Sequence, residues 1–186
     1  LYGQVYGLIG GRSIGMSTGT VDTSQWMKEF GVDIEHVDQL EIIRLAGKVS
    51  EKEVNSAYDW LTQNIGSIHY GGALTADSLK YQLKCYLATE QIIKQRQLDF
   101  VGVKCHYELS EYYATQCLSC AFFNDPYDWR GPKSPLVFAC EADSDAALTM
   151  QILKLLTDSP TVLLDLRHYN SKDELYVLCN CGCLLY

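Results

Sequence analysis

Leu136-Val137-Phe138-Ala139-Cys140-Glu141-Ala142-Asp143 is a short apolar run that stops on acids, and Thr161-Val162-Leu163-Leu164-Asp165-Leu166-Arg167-His168-Tyr169 repeats the plan. Runs of this length and composition predict buried strands. Residues 145–157 between them are long enough for one helix. Strand, helix, strand is a βαβ unit, whose two parallel strands end on the same edge of a sheet. Open α/β sheets bind their ligands at that edge. The reading therefore places Glu141 and Asp165 at neighbouring strand tips, where two acids can hold a divalent cation or divide proton transfer between them. The competing reading is that each acid caps the helix or turn after it. Asp143 can take the capping role and leave Glu141 free.

Upstream, strands and helices go on alternating. Tyr2 to Ile9 reads as a strand and is followed by a Gly-rich turn through Gly19. Asp22 or Thr23 caps a helix that Gly31 stops after Phe30, and Val32 to Val37 reads as a strand. Asp38 opens a helix to Ala46, and Ser50-Glu51-Lys52-Glu53 has the form of a capping box for a helix to about Asn64. Leu79, Leu83, Tyr86, Leu87 and Ile93 recur at helical spacing within residues 75–97. Asp99 to Lys104 predicts a strand, Ser110 to Phe123 a helix, and Leu175 to Asn180 a last strand. Pro126 and Pro132 mark a turn-rich connection. The expected fold is a doubly wound, mostly parallel α/β sheet with helices on both faces, Rossmann-like, in a single domain over residues 1–186.

At 186 residues the chain can bury a substantial core. A net charge of −8 without a basic run argues against a nucleic-acid partner. No apolar stretch is long enough to span a bilayer as a helix. Leu1 opens the chain almost inside its first strand, and Leu184-Leu185-Tyr186 closes it after another apolar run. The expectation is an interior piece of a longer protein. Most of the eight cysteines sit within apolar runs, which fits a reducing, cytoplasmic setting better than a disulfide framework.

Other motifs compete less well. Gly7, Gly10, Gly11 and Gly15 miss the G-x-G-x-x-G spacing of a dinucleotide fold, although Asp38 lies near the expected acidic position. Cys117-x-x-Cys120 falls within a predicted helix and reads as core. Cys179, Cys181 and Cys183 alternate on one side of a strand without a matching pair for zinc. Cys181 stands at a strand end beside Gly182. His168 follows Asp165 by three residues, and His106 follows the strand that ends at Lys104, on the presumed ligand edge.

These segments resemble the L-fucose isomerase family. Cys140 to Met150 with Leu164 to Tyr169 is similar to the family's central part. Gly11 to Met16, Gly102 to Cys105, Asp128 to Pro132 and Asn180 to Gly182 follow in the family's order. The resemblance implies the middle domain of such an enzyme, with the N- and C-terminal domains outside this chain. It implies aldose–ketose isomerisation, of the L-fucose to L-fuculose and D-arabinose to D-ribulose type, through a metal-stabilised cis-enediol. It also implies Mn2+, or another divalent cation such as Mg2+ or Co2+, on Glu141, Asp165 and a histidine from a later domain. The same two acids are the implied catalytic groups. Ile14, Lys104, His106 and Cys181 fall at or beside positions that meet the sugar. His106-Tyr107 departs from the Gln-Pro expected in the nearest relatives, and Ala146 replaces a more usual Gly. The implied partners are a monosaccharide and further copies of the same protein, as a hexamer, and the fragment by itself is expected to be inactive. Two other classes stay open: a sugar-binding α/β module without catalysis, and a nucleotide-dependent oxidoreductase domain built on the Gly-rich turn.

Overall fold

The computed structural model describes residues 1–180 and 182. The chain runs through β1 (Val5–Ile9), a 3-10 turn (Ser17–Gly19), α1 (Thr23–Phe30), β2 (Asp33–Val37), α2 (Leu40–Ala46), α3 (Glu51–Asn64) and α4 (Ala76–Arg96). It continues through β3 (Phe100–Val103), α5 (Glu108–Tyr112), α6 (Cys117–Asn124), β4 (Tyr127–Asp128), β5 (Gly131–Pro132), β6 (Phe138–Cys140) and α7 (Ser144–Thr157). The last described strands are β7 (Asp165–Asn170) and β8 (Leu175–Cys179).

The central sheet is parallel throughout, in the order β2-β1-β3-β6. Alternation along each strand divides its side chains between two cores. Ile9, Val101, Val103 and Phe138 point into a large core with α2, α3, α4 and α6. Tyr6, Leu8, Phe100, Val137 and Ala139 point the other way, onto Trp26 of α1 and Ala147, Leu148 and Met150 of α7. Helices thus cover both faces, as the strands' near-continuous apolar sequence requires. The fold is the expected doubly wound α/β sheet.

Several boundaries follow from local chemistry. Asp22 accepts the Gln25 N–H at 3.0 Å to open α1, and Gly31 closes it in the left-handed region at φ 67°. Thr75 and Ser78 form a reciprocal capping box on α4. Ser50 makes no such bond at the start of α3, contrary to the sequence signature.

Two further sequence expectations are corrected. The single helix expected over 110–123 is interrupted between Tyr112 and Cys117. The buried Gln116 side chain donates to the Ala114 carbonyl at 3.3 Å and accepts from Ser119 Oγ at 3.1 Å, so it competes locally with helical pairing. The second correction concerns the βαβ unit. Residues 161–164 lie outside any strand, and Asp165 begins β7 rather than ending a sheet strand. β7 pairs antiparallel with β8, so the expected last strand also belongs to a hairpin. Two observations explain this. The ladder to β3 leaves out the N–H and C=O of Phe138, and the buried Asn124 side chain binds both, at 3.1 and 2.9 Å. The outer edge of β6 is therefore covered at that point by a side-chain amide. In addition, Asn170 Oδ1 accepts from Lys172 N at 3.1 Å and Asp173 N at 3.3 Å, which closes a local turn.

Candidate functional site

In the order β2-β1-β3-β6, the connection after β1 runs to one side, towards β2, and the connection after β3 runs to the other, towards β6. This reversal opens a crevice at the carboxyl ends of β1 and β3. Three loops meet there: the Gly-rich turn after β1, Lys104 to Tyr107 after β3, and Glu141-Ala142-Asp143 after β6. Glu141 and Ala142 both adopt left-handed backbone conformations, at φ 56° and 55°. Each costs on the order of 1 kcal/mol for a residue with a Cβ. Gly102 makes room for this turn, because a Cβ there would lie 3.0 Å from the Ala142 Cα and 2.2 Å from the Tyr6 hydroxyl.

The turn delivers the Glu141 carboxylate to donors from the other two loops. Oε2 accepts from Ser13 Oγ at 2.7 Å, His106 N at 3.0 Å and Cys105 N at 3.3 Å. Oε1 accepts from Cys105 Sγ at 2.7 Å. Burial works against the charge, but the bonds from the Cys105 thiol, the His106 N–H and Ser13 outweigh it and hold the carboxyl below its ordinary range. Glu141 is thus a half-buried carboxylate, ionised at neutral pH. Burial first, and then the bond to Glu141, push the Cys105 thiol strongly upwards, so it stays protonated as a donor. Asp143 caps α7 through Ala146 N at 3.0 Å and also accepts from Thr18 Oγ1 at 3.0 Å. Glu141 is free of capping duty, as the sequence reading anticipated.

The remaining candidates are spread around this point. Ile14 follows Ser13 and is 81 % exposed, which is unusual for an isoleucine. Lys104 has a largely buried side chain paired with Glu108 at 2.9 Å, and it lines a cleft of about 470 Å3 with Gly10, Gly11, Asp38 and Gln39. His106 gives its backbone N–H to Glu141, while its Nδ1 lies 3.3 Å from Ser110 Oγ. Asp165 is exposed on the hairpin and pairs with Arg167 at 3.3 Å. The parallel-strand geometry that was to aim it alongside Glu141 is not formed. Cys181 lies outside the described residues. Among the described residues, no group of three or more His, Cys, Asp or Glu side chains is gathered to hold a metal. The donor chemistry nevertheless suits a hard divalent cation, because Glu141 and Asp165 both offer carboxylate oxygens. Ser13 and Cys105 escaped the sequence reading as partners of Glu141. Ser13 is 3 % exposed inside a glycine turn, and only the fold reveals that this burial faces an acid.

Comparison with known proteins finds similarity to one family. A family model described as "L-fucose isomerase, second N-terminal domain" matches residues 83–158, which include β3, β6, Glu141 and the whole of α7. L-fucose isomerases of Streptococcus pneumoniae strains Hungary19A-6 and P1031 are 23 % identical over 190 residues, covering 89 % of this chain. Over most of its length the chain is similar to L-fucose isomerases. It spans about a third of the length of those relatives, 32 %. The L-fucose isomerase of strain CGSP14 is 40 % identical over 52 residues, 28 % of the present chain and 9 % of its own. No described helix is long and apolar enough to cross a membrane.

Proposed function

We propose that this chain is the middle domain of a metal-dependent aldose–ketose isomerase acting on L-fucose- or D-arabinose-type sugars. The observation that carries the proposal is Glu141: an ionised, half-buried carboxylate held by donors from two neighbouring loops at the ligand edge, in a chain similar to L-fucose isomerases.

Isomerisation moves hydrogen between C1 and C2 of the open-chain sugar and needs no external oxidant or reductant. One carboxylate, Glu141 or Asp165, takes the proton from C2, and the C1 carbonyl becomes the second hydroxyl-bearing carbon of a cis-enediol. The other carboxylate assists transfer of the hydroxyl proton between the two oxygens. Return of the carbon-bound proton to C1 completes the ketose. Ser13 and the Cys105 and His106 backbone N–H groups keep Glu141 ionised and oriented for its part. A divalent cation, Mn2+ in this reading, would be held by Glu141, Asp165 and a histidine outside this chain, and would supply Lewis-acid polarisation of the sugar oxygens.

Ile14 offers an apolar contact to the sugar, and Lys104, His106 and Cys181 offer polar ones. A cytoplasmic homo-oligomer, a hexamer in this reading, completes the proposal. The test is Glu141→Gln in the longer protein of which this chain forms part. Isomerase turnover should fall by at least a hundredfold, in line with loss of a positioned acid–base group, and an unchanged rate overturns the reading. Residues 1–186 alone should bind Mn2+ weakly and turn over no sugar; activity from them would mean that all the needed ligands lie within this chain.

A further inference from the structure

The two oxygens of Glu141 are not equivalent. Oε2 is committed to Ser13 Oγ and the N–H groups of Cys105 and His106, all within 3.3 Å. Three donors use up the directions in which a carboxylate oxygen can accept. Oε1 is met by Cys105 Sγ at 2.7 Å. A thiol is a weak donor, and it yields an acceptor to a cation or a substrate hydroxyl at less cost than a hydroxyl or an amide would. Cys105 itself is 5 % exposed and sits two residues past the end of β3, which anchors the loop, so its side chain is fixed by burial.

We propose that Cys105 is a positioning residue for Glu141. Its S–H donates to Oε1, sets the plane of the carboxylate, and presents that oxygen as the one an incoming ligand takes. The role assigned to the presented oxygen rests on the isomerase reading, whereas the thiol–carboxylate bond does not.

The experiment is infrared spectroscopy of the S–H stretch in the full chain, with the Cys105 band assigned by its loss in Cys105→Ser. The Cys105 band should lie at lower frequency than that of the buried Cys85, and Glu141→Gln should move it upwards while the other thiol bands stay in place. A Cys105 band that coincides with Cys85, or one that Glu141→Gln leaves unmoved, overturns the proposal. Retention of the remaining thiol bands reports that each variant is folded. In the longer protein, Cys105→Ser keeps a donor and should hold kcat within a few-fold, with KM for the sugar raised because a hydroxyl yields Oε1 less readily than a thiol. Cys105→Ala should change kcat and KM unequally, because a freed Oε1 alters how the ligand is seated. If the band behaves as expected and Cys105→Ala leaves both constants unchanged, the bond stands and its positioning role fails. If no variant of Glu141 affects turnover, it is the isomerase reading that fails.

Discussion

Arg130 shows how a surface-reaching cation organises buried acids. It binds Asp128 at 2.8 Å and Glu90 at 2.9 Å, and its guanidinium stacks 4.7 Å from the Trp129 ring. The Asp128 side chain is 1 % exposed. Burial disfavours the charge of Glu90, but Arg130 and Lys94 outweigh that and hold its carboxyl below the ordinary range. A depressed folded pKa contributes stability that is present above the unfolded value of about 4.3 and is lost as pH falls through the folded value. Glu90→Gln should therefore flatten the acid limb of a stability–pH curve measured by urea unfolding, while pH 7 stability falls. An acid limb identical to that of the parent chain would show that Glu90 has no part in it. The same residue-scale logic explains why Glu141 was legible as a candidate: an acid after an apolar run reads from sequence. Its donors did not, because Ser13 and Cys105 lie 128 and 36 residues away from it.

At the scale of elements, two contacts fix the loops around the site. Asp143 opens α7 and ties it to the 3-10 turn through Thr18. Asp143→Ala should cost about 1 kcal/mol, the usual value of an N-cap, seen as a lower denaturant midpoint at unchanged slope. Asn124, the last residue of α6, covers the outer edge of β6 by binding both peptide groups of Phe138. Asn124→Leu leaves a buried N–H and C=O without their partner, and a loss of about 2–3 kcal/mol is expected by equilibrium unfolding. A loss below 0.5 kcal/mol would mean that water or another strand replaces the amide, since surface changes alone stay within about that range. Asn124 reads as the start of a turn in the sequence, and nothing in its neighbours announces that it faces a strand.

At the scale of the whole molecule, the hairpin differs from the sheet. Leu166, Tyr169, Tyr176 and Leu178 are each more than half exposed. Tyr169 and Tyr176 pack on each other across the pair, with ring centroids 5.0 Å apart. The strands of the central sheet are instead buried between two cores. A two-stranded hairpin is at best marginally stable in water by itself. Amide hydrogen exchange should therefore be fast across β7 and β8 and slow in β1 and β3, where opening requires loss of the core. Equal protection in both sheets would mean that the hairpin is packed against something in solution.

Apolar periodicity determined the class of fold by itself: alternating buried strands and amphipathic helices leave a parallel sheet covered on both faces as the way to bury them all. Helix ends were equally local, set by Asp22, Gly31, Thr75 and Asp143 within a few bonds of the backbone they satisfy. The pairing of each strand was decided only in three dimensions. The run at 161–164 has the apolarity of a strand, but strand pairing needs an open edge, and the covered peptide of Phe138 takes that edge away next to Glu141. Composition records which residues prefer burial, whereas hydrogen-bond partners far apart in the chain are chosen by where the packed elements bring them.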